Sequence, residues 1–460
     1  MSSAIRHAVS RRPRIAHCVG FYFPEQVGGT EVYVQDLCVE LARRSVDGYV
    51  IAATDGSRDE YFQEGVPVLR YPSHWAEVAD DARLGAKTGL SKFQALVLEN
   101  RPDIFHLHSW TTGAGLTHLS QVAQLGIPCL VTMHVPSPLC MRGTMLLHGR
   151  QACDGRIDEK RCVQCWAEAR GLPATLAYGV SLLPRALGDR LASRGSSRAM
   201  TLLSARSLAR TKAHELHLMA GLCEKIVAPS QWVADALAAN GIAADKFTIS
   251  RQAVSPLLAK AAAGRSRREP TKELMVGFVG RLEPYKGAHV LVEAMAGIPR
   301  DVPIRLLLAG KGPDAEYVRR LADASDNDRR IEFCGPISRE ELPGFLSQLD
   351  ILAVPSKYME TGPLVVLEGY ALGLPVMGAD LGGISERIRD GVDGWLLPFD
   401  DSGAWAATMH RLALDRNEID RMTANIEPSR TMEVVASEMI DLYSGILRAR
   451  LLSAKASQLS

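Results

Sequence analysis

The amino-acid sequence predicts an α/β protein whose two domains each contain a doubly wound parallel sheet. Short apolar segments of strand length alternate with longer amphipathic segments along almost the whole chain, as expected for parallel strands joined by helices. The alternation falls into two series, which a polar and basic stretch at residues 259–272 separates. The length of 460 residues is typical of two or three domains.

Composition narrows the class of protein. The hydrophobic fraction of 47% and the charged fraction of 23% are those of an ordinary globular enzyme. The net charge of +1 argues against binding nucleic acid through overall charge. The longest apolar runs are too short to span a bilayer, and no signal-type apolar segment follows the basic N-terminus. We therefore expect a cytoplasmic protein, and peripheral contact with the inner face of the membrane stays open.

The first series of elements belongs to a domain expected over residues 1–258. Strands are predicted at 14–20, 49–53, 104–108, 129–134 and 225–229, and a glycine-rich turn at 27–30 precedes a helix at 31–43. Two segments depart from the alternation, a cysteine-rich loop at 140–165 and a basic helical insert at 167–217. For the insert we favour packing on this domain, and a membrane-surface helix is the alternative.

The second series predicts another Rossmann-like domain over residues 273–428. Its strands are expected at 275–279, 305–309, 331–334, 351–354 and 375–378. The preceding stretch, 259–272, is basic and poor in apolar residues, so it is interpreted as a linker. A final helix at 429–460 is expected to pack back on the first domain. In such sheets, ligands gather at the carboxyl ends of the strands.

The strongest candidate site is the stretch from Glu360 to Glu368. Pro363 suits the start of a helix and Gly373 suits its end, so Glu360 precedes the helix and Glu368 lies within it. The N-terminus of a helix can hold a phosphate. Carboxylates beside it can accept hydrogen bonds from sugar and ribose hydroxyls. The stretch therefore indicates a nucleotide-sugar site.

Two glycine-marked turns are candidate phosphate sites. Gly280 directly follows a predicted strand, and the cations Arg281 and Lys286 come next, so both can reach one diphosphate. Gly28 and Gly29 precede the first helix in the same way. For this second turn, an ordinary tight turn is the alternative.

Histidines mark the strand ends of the first domain. His134 ends a strand, where its imidazole can share a hydrogen bond with a sugar hydroxyl or a leaving group; a structural histidine is the alternative. His106 and His108 alternate onto the same face of a strand. With two imidazoles and no evident third ligand, we expect them to shape the site and not to bind a metal.

Four clustered cysteines, Cys140, Cys153, Cys162 and Cys165, predict a metal site. The last two form a Cys-x-x-Cys knuckle suited to a tetrahedral ion. In a reducing compartment such a set favours structural zinc over disulfides, and an iron–sulfur cluster or metal-free thiols are the alternatives. Four protein ligands leave no open position, so this metal would not be catalytic.

Together these motifs resemble the retaining glycosyltransferases of the GT-B class, family 4. The resemblance covers residues 14–443 and is strongest over 277–398. The matching motifs are Gly280-Arg281-Leu282 with Lys286-Gly287, Ala309-Gly310, Pro355-Ser356, Glu360 through Glu368, Gly373-Leu374-Pro375-Val376, Gly382-Gly383 and Asp393-Gly394. The resemblance implies the GT-B fold, in which two Rossmann-like domains face each other across a cleft.

The resemblance also implies roles for individual residues. Arg281 and Lys286 would neutralise the donor diphosphate, Glu360 would contact the donor sugar near its reacting centre, and Glu368 would hold the ribose. His134 would contact the sugar. The remaining donor-site residues implied by the resemblance are Gly28, Gly29, Gly280, Gly362, Leu364 and Val365. One departure is that Gly362-Pro363 replaces a common Phe-Gly, and proline removes one N–H donor.

The implied reaction moves a sugar from a nucleotide sugar to a hydroxyl of a glycan or lipid-linked acceptor, with retention of configuration. A UDP- or GDP-sugar is the expected donor, and no catalytic metal is expected because two cations and a helix end can stabilise the leaving group. The alternatives are a nucleotide-sugar epimerase or sugar phosphorylase on the same architecture, or a zinc-stapled module that binds membrane or nucleic acid.

Overall fold

The structure is a computed structural model that describes residues 12–25, 28–54, 59–72, 89–184, 198–263, 272–312 and 314–459. It divides into two compact units. The first unit comprises Met1–Gly143, Asp154–Gln252 and Met432–Ser460, and the second comprises Thr144–Cys153 and Ala253–Thr431.

The strands and helices alternate through both units. The strands are β1 Arg14–Val19, β2 Asp47–Thr54, β3 Glu60–Gln63, β4 Val66–Pro72, β5 Ile104–Leu107, β6 Cys129–Thr132, β7 Leu146–Leu147, β8 Gln151–Ala152, β9 Lys225–Ala228, β10 Phe247–Ile249, β11 Leu274–Val279, β12 Ile304–Ala309, β13 Ile331–Gly335, β14 Ile351–Val354, β15 Val376–Ala379 and β16 Gly394–Leu397.

The helices are α1 Gly29–Arg43, α2 Leu90–Asn100, α3 Leu116–Gln124, α4 Glu159–Glu168, α5 Ala174–Leu182, α6 Arg198–Leu203, α7 Ala205–Leu222, α8 Gln231–Ala239, α9 Pro256–Ala263, α10 Ala288–Ala296, α11 Ala315–Ala324, α12 Leu342–Leu346, α13 Leu364–Ala371, α14 Ser402–Leu414, α15 Asn417–Asn425 and α16 Met432–Leu459. All ten predicted strands are present, with ends shifted by no more than two residues.

The first unit is built on a sheet with the strand order β10-β9-β6-β5-β1-β2-β4-β3. Its pairs are parallel except for β3, which runs antiparallel to β4. Strand β1 is central, and its residues 15–19 are all buried. A strand covered by helices on both faces has a continuous apolar run and not an alternation, which is why the sequence signalled it clearly.

The second unit is built on a parallel sheet with the order β13-β12-β11-β14-β15-β16. This is the usual doubly wound order, in which successive strands are added on one side of the first strand and then, from the fourth strand on, on its other side. The reversal lies between β11 and β14, where Val276 pairs with Ile351. Loops that leave these two strands therefore start side by side at one edge of the sheet.

A small helical cluster accounts for the described part of the basic insert. Helices α4, α5 and α7 pack around a buried core that includes Val163, Trp166 and Ala209. The guanidinium of Arg170 lies 3.6 Å from the centre of the Trp166 ring, and Arg206 pairs with Glu159 at 3.2 Å. Arg170 and Arg206 thus take part in internal contacts, whereas Arg185, Arg190 and Arg194 lie outside the described residues.

The predicted linker is partly wrong. Helix α9 occupies residues up to 263, and its Leu258 is almost fully buried. The sequence Pro-Leu-Leu-Ala-Lys-Ala-Ala-Ala has a high helix propensity, which outweighs the polar character of the basic residues after it. Residues 264–271 of the predicted linker lie outside the described residues.

The C-terminal helix α16 belongs by its contacts to the first unit and packs on α1. Its Tyr443 is buried and reaches His106 of β5. Within the described part of the chain, no helix is both long enough and apolar enough to cross a bilayer.

Candidate active site

The candidate site of the second unit lies where β11 and β14 end. Gly280, Arg281 and Lys286 lie on the loop after β11, and Glu360 lies on the loop after β14. Because these strands are neighbours at the reversal of the sheet, the two loops emerge together. The sequence-predicted cations and carboxylate are thereby brought to one place.

Gly287 allows the two loops to approach closely. Its φ of +77° lies in the left-handed region, and a Cβ there would overlap the carbonyl oxygen of Pro355. The N–H of Lys357 also donates to the carbonyl oxygen of Tyr285 at 2.7 Å. Any residue with a side chain at 287 would therefore push the loop of Lys286 away from the loop of Glu360.

Lys286 and Glu360 form an ion pair. The distance from Nζ to Glu360 Oε1 is 2.7 Å, and the side chains are 22% and 9% exposed respectively. Ser356 Oγ lies 2.9 Å from the same carboxylate oxygen, and the hydroxyl of Tyr358 donates to Oε2. The carboxylate is therefore almost buried, and an ammonium and two hydroxyls of the protein bond to it.

Arg281 lies at the exposed end of the same cluster. Its side chain is 62% exposed, and its Nη1 lies 3.2 Å from Glu283 Oε1. The guanidinium lies 5.6 Å from the centre of the Tyr285 ring, and that ring packs edge-on against Tyr358 at 5.3 Å. Ring contacts thus connect Arg281 with the residues around Glu360.

Helix α13 follows directly after Glu360. Pro363 is its N-cap, and the first helical residues are Leu364 and Val365, whose N–H groups belong to the unbonded first turn. Gly373 closes the helix with a φ of +66°. The carbonyl oxygen of Glu360 accepts from Gly383 N–H at 2.8 Å, which fixes the backbone before the helix.

Glu368 and Gly362 lie on either side of this helix start. Both are half-buried, Gly362 just before the N-cap and Glu368 on the second turn of α13. The positions agree with the predicted order, in which one carboxylate precedes the helix and the other lies inside it.

In the first unit, the turn at Gly28 is already occupied by a carboxylate. Gly28 is the N-cap of α1, and its N–H donates to Glu31 Oε2 at 2.7 Å in a capping box. Gly29 begins the helix and is exposed. A phosphate contact to the Gly28 N–H would therefore have to replace Glu31.

His134 belongs to a chain of buried imidazoles, the histidine array, which consists of His17, His106, His108 and His134. Within it, His17 Nδ1 lies 3.0 Å from His108 Nε2, and His108 Nδ1 lies 3.2 Å from His134 Nε2. His106 bonds instead to Tyr443 and Thr132, at 2.8 and 2.7 Å. All four imidazoles are buried.

Burial keeps the array neutral. It lowers the pKa of His17 and of His134 to about 3, and it lowers those of His106 and His108 well below the ordinary value, with neighbouring imidazoles adding to the effect. A neutral imidazole has one donor and one acceptor, so each proton position is determined by the hydrogen bonds.

The array runs from Gln252 at one end to His17 at the other. The side-chain amide nitrogen of Gln252 lies 3.1 Å from His134 Nδ1. The hydrogen bonds then pass from His134 through His108 to His17, and their direction follows from the tautomers of the three rings. At the far end, His17 Nε2 is buried and has no hydrogen-bond partner among the described residues.

The array corrects the expectation that no third possible ligand lies beside His106 and His108, and it limits the sugar contact expected for His134. His17 is a third imidazole beside His106 and His108, and the possible ligand atoms of the three lie within 4.8 Å of one another. Hydrogen bonds nevertheless occupy five of their six ring nitrogens. Both ring nitrogens of His134 also have partners, so its ring could contact a sugar only by exchanging one of them.

The four predicted metal ligands are divided between the units. Cys140, Cys162 and Cys165 belong to the first unit, whereas Cys153 ends the hairpin β7–β8 and belongs to the second. Arg142 donates to Cys165 Sγ at 3.6 Å. The zinc site stays a prediction.

Three residues of these clusters had no predicted role, namely His17, Ser356 and Tyr358. His17 looked like part of an ordinary strand, and only parallel pairing places it opposite His106. Ser356 and Tyr358 stand four and two positions before Glu360, so their proximity in sequence was the available signal.

Family models match both halves of the chain. The model described as glycosyl transferases group 1 matches residues 260–428, and the glycosyl transferase 4-like domain matches residues 28–251. The chain therefore belongs to the group 1 glycosyltransferase family and has the GT-B architecture.

Relatives with assigned names match part of the chain. D-inositol 3-phosphate glycosyltransferase of Corynebacterium efficiens is 38% identical over 193 residues, which is 39% of this chain and 45% of the relative. The enzyme of the same name from Mycobacterium sp. strain JLS is 37% identical over 197 residues, 42% of either chain. The match thus spans less than half the length of these relatives.

Solved structures match almost the whole chain. Sucrose-phosphate synthase of Thermosynechococcus elongatus has a TM-score of 0.63 at 20% identity, covering 95% of this chain and 100% of that one. Anabaena HepE, solved with UDP and glucose, has a TM-score of 0.59 at 17% identity, covering 95% and 99%. At these identities the likeness concerns the fold alone.

Proposed function

We propose that this protein is a retaining glycosyltransferase that moves a hexosyl group from a nucleotide sugar to a hydroxyl acceptor. The observation that carries the proposal is the Lys286–Glu360 pair, which lies with Arg281 and the start of α13 at the reversal point of the second sheet. Cations and a helix start favour a departing diphosphate, and a carboxylate beside them suits a sugar that develops positive charge.

Each predicted residue has a role in this proposal. Lys286 and Arg281 stabilise the diphosphate, with help from the N–H groups of Leu364 and Val365. Glu360 faces the donor sugar, and Glu368 accepts from the ribose. The supporting residues proposed for the donor site are Gly28, Gly29, Gly280, Gly362 and His134.

A UDP-sugar is the proposed donor, since HepE, a structural neighbour, was solved with UDP and with UDP-glucose. The proposed acceptor is a hydroxyl of a glycan or of a lipid-linked acceptor. The named relatives carry D-inositol 3-phosphate in their names, so a phosphorylated polyol is a further acceptor to include in assays. No metal has a part in these steps.

A donor screen tests the proposal. The melting temperature of the full chain is measured with UDP-, GDP-, ADP- and TDP-glucose, and we expect UDP-glucose to raise it by several degrees because it binds only the folded state. Lys286→Ala should lose this shift, while Lys92→Ala, an exposed lysine of the first unit, should keep it. If none of the four compounds shifts the wild type, the proposal is wrong.

We further propose structural zinc on Cys140, Cys153, Cys162 and Cys165. Elemental analysis of the purified protein should find about one metal ion per chain. A folded, metal-free sample would contradict this assignment and would leave the proposed transfer reaction untouched.

A further inference from the structure

Residues of its own loop hold the Glu360 carboxylate on both oxygens. Ser356 Oγ bonds to Oε1 at 2.9 Å, and the Tyr358 hydroxyl donates to Oε2. Residue Glu360 is 7% exposed and Ser356 is 2% exposed. Because so little of the carboxylate faces water, protein donors determine its orientation.

Tyr358 also contacts the partner of Glu360. Its hydroxyl oxygen lies 3.2 Å from Lys286 Nζ, and the ammonium lies 5.0 Å from the centre of the Tyr358 ring. With the bond from Lys286 to Glu360, the three groups form a closed triangle in which the hydroxyl accepts from the ammonium and donates to the carboxylate. The triangle uses two of the three ammonium protons and leaves one for a ligand.

The Tyr358 hydroxyl is suited to this bridging part. Burial and then the negative charge of Glu360 raise its pKa well above the ordinary value, so it stays protonated and can donate at neutral pH. The rings of Tyr358 and Tyr285 form a T-shaped pair with their centres 5.3 Å apart. The N–H of Lys357, the residue before Tyr358, donates to the Tyr285 carbonyl oxygen at 2.7 Å, which limits movement of the Tyr358 ring.

We propose that Tyr358 is a positioning residue of the active site, whose hydroxyl holds the Glu360 carboxylate and the Lys286 ammonium at a set separation. This proposal rests on the proposed function. Without the hydroxyl, Glu360 Oε2 loses the hydrogen bond from Tyr358, and the carboxylate can rotate toward Lys286. The ammonium is then drawn away from the leaving diphosphate. Donor binding suffers less than turnover, because Arg281 and the start of α13 still contact the diphosphate.

The variant Tyr358→Phe tests this role. It removes only the hydroxyl and keeps the ring that packs against Tyr285 and Lys286. The assay measures release of the nucleoside diphosphate from whichever of UDP-, GDP-, ADP- and TDP-glucose stabilises the wild type most, with the glucosyl group passing to water or to an added hydroxyl acceptor. We expect kcat to fall about 10- to 100-fold and KM to change by less than about threefold. The melting-temperature shift caused by the same nucleoside diphosphate should be retained.

Tyr370→Phe is the matched control. It removes another tyrosine hydroxyl of the second unit that bonds a carboxylate, Asp393 Oδ1 at 2.7 Å. It should lower the melting temperature as Tyr358→Phe does but keep kcat within about twofold. Unchanged kcat in Tyr358→Phe, or equal losses in the two variants, would overturn the positioning role.

A second variant keeps the proposal testable if Tyr358→Phe does not fold. Ser356→Ala removes the other bond that the loop makes to Glu360, and it should lower kcat in the same direction by a smaller factor, because Lys286 still holds Oε1. Unchanged kcat in that variant would then decide against the proposal. A wild type that neither binds nor turns over any of the four nucleotide sugars would instead contradict the proposed function.

Discussion

Each unit gathers polar side chains within or just after the parallel strands of its sheet, yet the two clusters differ in charge. The histidine array of the first unit is buried and neutral, and its members bond to one another and to Thr132, Gln252 and Tyr443. The cluster of the second unit contains a charged pair, Lys286 and Glu360, and 22% of the Lys286 side chain is exposed. Burial keeps the imidazoles of the first cluster neutral, whereas the second cluster contains an ion pair.

This contrast in charge indicates what each cluster is suited to do. A buried neutral chain needs only alternating donors and acceptors, so it holds its elements together without solvent or ligand. A partly exposed ion pair keeps free donors that a charged ligand can use. We therefore expect the first cluster to matter most for stability and the second to matter most for turnover.

The largest expected effect is on turnover and comes from Glu360→Gln. This change keeps the size of the side chain but removes the charge that faces Lys286, so transfer should fall by about 100- to 1000-fold. The measurement is kcat with the donor found in the screen. Glu316→Gln alters an exposed glutamate paired with Arg320 and should have no effect on kcat. Similar losses in both variants would mean that Glu360 has no special role.

The next effect compares two glycines. Gly287→Ala forces a side chain into the Pro355 carbonyl at a left-handed φ, and the free energy of unfolding should fall by about 3 kcal/mol. Gly28→Ala places its Cβ 2.9 Å from the end of the Glu31 side chain, which can move, so the loss should stay below about 1 kcal/mol. Urea unfolding measures both, and equal losses would remove the distinction between the turns.

Acid should weaken the first unit through the histidine array. The pKa of His17 and of His134 is about 3 in the folded protein, against 6.5 ordinarily, so below pH 6.5 the unfolded chain binds more protons. The stability is complete above pH 6.5 and is lost as the pH falls toward 3, at about 1.4 kcal/mol per pH unit for each such histidine.

His17→Gln removes one of these titrating groups. Between pH 6 and pH 5, the slope of unfolding free energy against pH should be shallower than in the wild type by about 1.4 kcal/mol per unit. Urea unfolding at a series of pH values checks this. A slope identical to that of the wild type would show that burial does not lower the pKa of His17.

The smallest effect concerns the bond between α16 and the array. Tyr443→Phe removes the hydroxyl that lies 2.8 Å from His106 Nδ1 and should cost about 1 kcal/mol of unfolding free energy. Tyr317→Phe, at a side chain that is 40% exposed, should change it by less than about 0.5 kcal/mol. If Tyr443→Phe also changes the free energy of unfolding by less than about 0.5 kcal/mol, the bond between α16 and the array does not contribute to stability.

The sequence predicted the second cluster better than the first. Gly280, Arg281, Lys286 and Glu360 stand in short motifs directly after strands, and the ends of neighbouring parallel strands must meet. The histidine array was not predicted, because its members come from three strands or strand ends far apart in the chain. A period-two pattern showed that His106 and His108 share a face, but it carried no information about the strand beside them.

The amino-acid sequence was sufficient to predict ten of the sixteen described strands, the doubly wound class and the motif that begins at Glu360, because these depend on local apolar pattern and on glycine and proline at helix ends. The three-dimensional structure was needed to show that His17 stands opposite His106, that Tyr358 joins Lys286 to Glu360, and that residues 144–153 group with the second unit. Those outcomes depend on pairing and burial between distant segments, and burial in turn sets a side chain's charge and partners.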